Sequence, residues 1–367
     1  MAPSESREYT PGSAELQIGT AKDFMESDEK KPVRESTARG ILKTLAKTAV
    51  AALIIWYLFR TGGDRAKDWT GRLHGLNWVW LIPAAILYAF HIFVNAWRWH
   101  LLLTIRKIPC SLFNACSLTM QSFFFSLAMP GGAIGGDVVR AGFLARALPR
   151  EKVFEGVFTI LMDRFTGMLG IFALALLSLP FIGRFIGAVG ELAGLFIWIL
   201  LAGSAAGLAG AFVVFRHRWF NRFFLYRKLR EVVDRFSGSM FSKMEETLDE
   251  YRNAKKEIVI CVLASITGVN LVLAVVMYCV CLAFAPASEI SVPAVLGAIT
   301  IGNIAGLIPA TPSGVGMRDY FVMTILAASS YPADPLLPTI VMTLLIIGFN
   351  LAGGLFFLFS RHPKANS

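Results

Sequence analysis

Apolar runs of about 20 residues recur along the chain, most of them long enough to cross a bilayer. They restrict the fold more than any other feature. In hydrocarbon every backbone N–H and C=O needs an internal partner, so only helices and closed barrels span it. The runs lack the ten-residue alternation of barrel strands and therefore read as helices. They fall at 41–59, 78–103, 111–129, 165–183, 192–215, 258–284, 292–310 and 336–359. Composition agrees, with 55% hydrophobic and only 16% charged residues and a mean hydropathy of +0.59. Soluble domains hold about 45–50% apolar and about 25% charged residues, so a soluble globular protein is excluded. A disulfide-stapled secreted fold is excluded as well. Cys110, Cys116, Cys261, Cys279 and Cys281 lie in or beside apolar runs without metal-ligand spacing, and they read as small core residues. No metal and no cofactor is expected.

Residues 1–40 are polar and mixed in charge, which predicts a disordered cytoplasmic tail. Residues 41–360 form the transmembrane domain, 216–257 a basic amphipathic cytoplasmic loop, and 361–367 a short cytoplasmic C-terminus. The net charge of +10 fits cytoplasmic loops that meet anionic lipid, and nucleic acid is not an expected partner. Orientation follows from counting. If every run crosses, the better orientation puts 21 of the 35 Lys and Arg residues inside. If 111–129 and 292–331 instead enter and return, from opposite faces, the number inside rises to 29. The positive-inside rule favours the second arrangement. The expected fold is an all-α polytopic integral membrane protein with about six full spans. Two re-entrant broken helices complete it, in an inverted-repeat-like arrangement with both termini cytoplasmic.

Each proposed re-entrant segment carries a similar phrase. The first is Met129-Pro-Gly-Gly-Ala-Ile-Gly-Gly-Asp-Val-Val-Arg140, and the second is Ile308-Pro-Ala-Thr-Pro-Ser-Gly-Val-Gly-Met-Arg-Asp319. Proline removes a backbone donor and glycine permits positive φ. Pro130, Gly131, Gly132, Gly135 and Gly136 should break the first helix, and Pro312, Gly314 and Gly316 the second. A helix restarting after such a break offers free N–H groups and a positive dipole end, which suit an anionic head group. Paired breaks in two halves of opposite topology point to alternating access. Asp137, Arg140, Arg318 and Asp319 are the candidate head-group ligands. Water-facing turns between ordinary spans are the competing explanation.

These phrases resemble the flippase-like membrane domain family, which includes the transmembrane part of lysylphosphatidylglycerol synthase and the membrane domain fused to some archaeal glycosyltransferases. Trp97-Arg98-Trp99 and Asp163-Arg164 are similar to further landmarks of that family. The resemblance covers about residues 41–360 and implies a lipid-translocating fold with two re-entrant elements. The family usually has Glu where this chain has Asp163 and Asp319. The soluble aminoacyl-transferase domain of the synthase is not in this sequence, so lysyl transfer is not expected of this polypeptide alone.

Asp163 and Arg164 interrupt a stretch otherwise free of charge, 157–183. Charges at membrane depth are costly and usually functional or paired. They are cavity ligands on one reading and interfacial residues with a snorkelling Arg164 on the other. Trp97-Arg98-Trp99 reads as an interfacial anchor. His91 and Asn95 share a helix face and read as interhelical polar contacts. From Leu229 to Tyr251 apolar residues recur at helical spacing, which suits a helix on the inner leaflet or one packed on the domain. No nucleophile elbow, Walker loop or acid-rich metal motif is present, so an enzyme is not expected. The expected function is translocation of a phospholipid or lipid-linked head group through a midplane polar cavity in the cell membrane. The alternative is an accessory or transferase subunit acting on lipid head groups with a partner enzyme.

Overall fold

The computed structural model describes residues 76–129, 132–187, 190, 192–220, 240–307 and 316–359. The run at 41–59, both terminal segments and residues 221–239 of the basic loop lie outside the described residues. So do Pro130, Gly131, Pro312 and Gly314.

All the described regular structure is helical. A 3-10 turn, Trp78–Trp80, leads into α1 (Leu81–Ile105), followed by α2 (Leu112–Ala128), α3 (Ala133–Ala147) and α4 (Val153–Ile186). Then come α5 (Leu192–Phe220), α6 (Met240–Asn253), α7 (Lys255–Leu282), α8 (Val292–Gly306), α9 (Met317–Ala328) and α10 (Leu336–Phe359). Among the described residues, four segments are long and apolar enough to cross a membrane: Trp78–Ile105, Arg150–Phe181, Lys255–Leu282 and Leu336–Leu358. The apolar part of α5, Ile197–Phe212, is shorter.

Burial is inverted relative to a soluble protein. On α1, Ile82, Ile86, Phe90 and Phe93 form an exposed apolar stripe, while Arg98 and Arg106 are buried. On α10, Leu344, Leu351, Leu355 and Leu358 are exposed in the same way. Water would penalise such stripes, whereas lipid tails solvate them. The chain is an integral membrane protein.

Lipid gives no hydrophobic drive between helices, so close van der Waals fit holds them together. The α4–α5 seam shows this. Phe172, Leu169 and Phe165 of α4 face Gly203, Gly207 and Gly210 of α5, and a Cβ at those glycines would lie 2.1, 2.9 and 2.6 Å from them. Any side chain there would require the facing Phe172, Leu169 or Phe165 side chain, or the helices, to shift. Within α7, Ser265–Leu271 forms a π turn. Such a turn leaves carbonyls without their usual partners. Here Asn270 donates to the Ser265 carbonyl at 2.8 Å and His91 Nδ1 donates to the Val269 carbonyl at 3.0 Å.

The two glycine phrases join short helices that pack side by side: α2 with α3, and α8 with α9. Ser111 caps α2 by accepting from the Asn114 N–H at 3.2 Å, and Ser291 caps α8 by accepting from the Ala294 N–H at 3.4 Å. With 17, 15, 15 and 12 residues, α2, α3, α8 and α9 are each short for a full span. Helix α10 packs against α2 and α9, and so touches both hairpins.

The described end of the basic loop, α6, packs on the domain. Leu248 and Tyr251 are buried with Leu102, Met162, Ile258 and Cys261. Arg106 at the end of α1 pairs with Glu155 of α4 at 3.0 Å and with Glu250 of α6, fixing α6 to both helices.

Candidate functional site

Left-handed backbone appears where each hairpin turns. Gly132 has φ 57° and Gly316 has φ 89°, and each immediately precedes the next helix. Gly135 and Gly136 are not part of the break: both are buried in the first turns of α3. Gly136 serves packing, because a Cβ there would lie 2.3 Å from the Ser122 carbonyl oxygen of α2.

Restarting the helix at Ala133 puts Asp137 and Arg140 on a face turned toward α4. Arg140 is 4% exposed and donates from Nη2 to Asp163 Oδ2 at 3.1 Å. Asp137 Oδ1 lies 3.5 Å from the same Nη2, and the nearer partner of Asp137 is Arg164. Asp137 and Arg140 thus belong to a shared arrangement that crosses between helices. Arg98 of α1 completes it, donating from Nε to Asp163 Oδ1 at 2.9 Å. Five charges alternate in sign: Arg164, Asp137, Arg140, Asp163, Arg98. The Arg164 side chain is 42% exposed and that of Arg98 only 6%, so the row runs from surface to interior. Arg164 also donates to the Ala133 carbonyl at 3.2 Å, tying the first residue of α3 to α4.

Trp99 floors this centre. Its indole is fully buried, donates to Thr159 Oγ1 at 3.0 Å, and lies 4.3 Å from the Arg140 guanidinium carbon. That stacking attracts the cation without using its N–H groups. Arg98 and Trp99 are thus interior residues, not the interfacial anchor their motif suggests. Asp163 is 5% exposed, while the Arg164 side chain is 42% exposed.

The second centre is built on adjacent residues. Arg318 is 7% exposed and Asp319 6%. Neighbours in sequence do not normally face each other on a helix, but here they occupy its first turn. Asp319 Oδ2 accepts from the Gly316 N–H at 3.0 Å, capping α9. Its Oδ1 accepts from Arg318 Nε at 3.0 Å and Nη2 at 2.7 Å, and from Thr343 Oγ1 of α10 at 2.9 Å. Gly302 of α8 makes room, since a Cβ there would lie 3.1 Å from Arg318 Cγ. Arg140, Arg318 and Asp319 are all buried in the protein.

The structure therefore brings Asp137, Arg140, Asp163 and Arg164 together, and separately brings Arg318 and Asp319 together. Between the centres one face of α1 carries Tyr88, His91, Asn95 and Arg98. Tyr88 lies near Arg318, and Arg98 belongs to the first centre. Ten residues at 1.5 Å per residue put these two positions about 15 Å apart along the helix. His91 makes an interhelical contact through its bond to the Val269 carbonyl, whereas Asn95 bonds within α1, its Nδ2 lying 3.0 Å from the His91 carbonyl and 3.3 Å from His91 Nε2. Arg98, Trp99 and Thr343 were missing from the predicted site. A buried charge flanked by tryptophans was the available signal for Arg98, whereas a threonine in an apolar run gave none for Thr343. Among the described residues no cluster of His, Cys, Asp and Glu could hold a metal.

No curated protein and no solved structure matches the chain. A family model described as the lysylphosphatidylglycerol synthase TM region matches residues 44–354, which takes in both hairpins and both charged centres. On that match the chain belongs to the family of the lysylphosphatidylglycerol synthase transmembrane region.

Proposed function

We propose that this protein moves a lipid head group across the membrane, using the charged centres at the starts of α3 and α9. One observation carries the reading. Arg140 and Arg318, both buried, sit in the opening turns of helices that restart after a glycine break. Burying guanidinium groups in a hydrocarbon setting is costly. Two such centres in a chain with no recognisable catalytic motif suit transport better than chemistry. The family supplies the link to lipids. Lysyl transfer is not part of the proposal. The orientation that puts most Lys and Arg inside places both termini in the cytoplasm of a cell membrane.

The test is reconstitution in vesicles containing a trace of phosphatidylglycerol with a fluorescent acyl chain. External dithionite bleaches only outer-leaflet probe. Protein-containing vesicles should lose nearly all the signal, against about half for protein-free ones. Bleaching that stops at half in both would refute translocation of this lipid class.

A further inference from the structure

The two centres differ in how fully their donors are used. In the second, one arginine meets one carboxylate, and Thr343 Oγ1 accepts a further bond from Arg318 Nη2 at 2.7 Å. That centre is neutral and hydrogen-bonded within itself. In the first, Arg98, Arg140 and Arg164 face Asp137 and Asp163, which leaves one positive charge in excess. Two buried donors there have no hydrogen-bond partner: Arg98 Nη1 and Arg140 Nε. They belong to residues only 5% and 4% exposed. An unmet donor on a buried charge is among the costlier features a protein can carry. The surroundings hold these groups in place without satisfying them. Trp99 stacks on Arg140, and Gly167 packs closely against the Arg98 guanidinium, where a Cβ would lie 3.2 Å from Nη2 and 3.4 Å from Nη1.

We infer that the first centre is an oxyanion site in which Arg98 Nη1 and Arg140 Nε take one phosphate-type group, while Arg318, Asp319 and Thr343 of the second centre bond one another. Arg98 thereby becomes a ligand-binding residue. One excess positive charge matches the single negative charge of a phosphodiester. The half-exposed Arg164 marks the side from which the anion approaches, and Asp163 orients both guanidinium groups from behind. The source of the oxyanion, a lipid phosphodiester as opposed to free phosphate, rests on the lipid-translocation reading; the site itself does not.

The experiment uses the purified full-length chain in dodecyl maltoside, with binding followed by calorimetry. The probes are dihexanoyl phosphatidylglycerol, dihexanoylglycerol and inorganic phosphate. Saturable binding of the phosphatidylglycerol, competed weakly by phosphate and absent for dihexanoylglycerol, is the expected result. Phosphate binding as tightly as the lipid would overturn the lipid source, and equal binding of dihexanoylglycerol would overturn the oxyanion site. The double variant Arg98→Gln/Asp163→Asn removes the fork while keeping the excess charge. It should weaken phosphatidylglycerol binding by about tenfold or more, the usual effect of losing charge-assisted bonds. Arg98→Lys, which keeps the charge but lacks Nη1, should show a similar loss and serves if the double variant does not fold. Lys243→Gln, at an exposed position of α6 outside both centres, should bind within about twofold of wild type. Wild-type affinity in a folded Arg98→Lys protein, or a tenfold loss in Lys243→Gln alone, would overturn the assignment. Binding that follows these expectations in a protein that fails the dithionite assay would leave the oxyanion site standing and remove the translocase reading. Translocation that persists with unaltered binding in Arg98→Lys would do the reverse.

Discussion

Replacing Asp163 with Asn tests whether the first centre holds the domain together. The carboxylate accepts from Arg98 at 2.9 Å and from Arg140 at 3.1 Å, and its side chain is 8% exposed. Asparagine keeps one acceptor oxygen but turns an N–H₂ group toward a guanidinium. The centre then holds three arginines and the single carboxylate of Asp137, which lies 3.5 Å from Arg140 and is already engaged by Arg164. Removing one partner of a buried ion pair costs about 3–5 kcal/mol. Two arginines lose their shared partner here, so the upper half of that range is expected. Asp163→Glu keeps the charge and adds one methylene, an overpacking cost of about 1–3 kcal/mol. Pairing Asp163→Asn with Arg98→Gln should recover part of the loss, because residues in one network couple by about 0.5–3 kcal/mol. Stability would be read from reversible unfolding in dodecyl maltoside micelles titrated with dodecyl sulfate, followed by tryptophan fluorescence. An Asp163→Asn protein within about 0.5 kcal/mol of wild type, the scatter of surface substitutions, would refute a structural role for the shared carboxylate.

Four further outcomes are expected. Gly136→Val should prevent a stable α2–α3 hairpin, since a Cβ would lie 2.3 Å from the Ser122 carbonyl oxygen; Gly142→Ala, with nothing within 4 Å, should be neutral or stabilising in the same unfolding assay. Glu250→Gln should release α6 from Arg106, raising amide exchange across Met240–Asn253 while leaving α4 protected. Tyr331 donates to the Cys281 carbonyl at 2.9 Å, and burial pushes its phenol above the ordinary value of 10.0. The unfolded chain therefore loses this proton first, so stability held below pH 10 should fall as pH rises further; Tyr331→Phe should cost about 1 kcal/mol at neutral pH and flatten that alkaline slope. On a cysteine-free background, Ser288→Cys should react with an impermeant maleimide outside intact cells and Lys243→Cys should not; reaction of the second would reverse the orientation.

The helix breaks were legible in the sequence because proline and glycine act locally. Gly132 and Gly316 fall where the phrases place them, and both hairpins follow. Partners were not legible, because they are set by tertiary packing. Asp137 and Arg140 are three residues apart and look like a pair, yet helix α4 passes close enough for each to favour a residue of that helix. The Trp97-Arg98-Trp99 motif has the composition of an interfacial anchor, and only the packing of α1 against α4 turns Arg98 inward. The apolar stripe ending at Tyr251 suits membrane or protein equally by periodicity. A buried phenol ring and the ion pairs of Arg106 decide for protein over the described half of that stripe.

The first charged centre also bears on how the chain enters the membrane. A ribosome delivers Arg98 and then Arg140 before Asp163 exists. At the moment α1 and the α2–α3 hairpin leave the insertion machinery, two guanidinium groups bound for the interior lack their carboxylate. A lone arginine at the centre of a membrane helix disfavours insertion by about 2.5–3.5 kcal/mol. The acid that pairs with both arginines arrives only with α4. Asp163 precedes Phe165, the first of the three side chains that seat against the α5 glycines. Emergence of the α4–α5 pair thus supplies the counter-charge and the close-packed partner helix in one step, and insertion of the N-terminal half is cooperative across three helices that are separate in sequence.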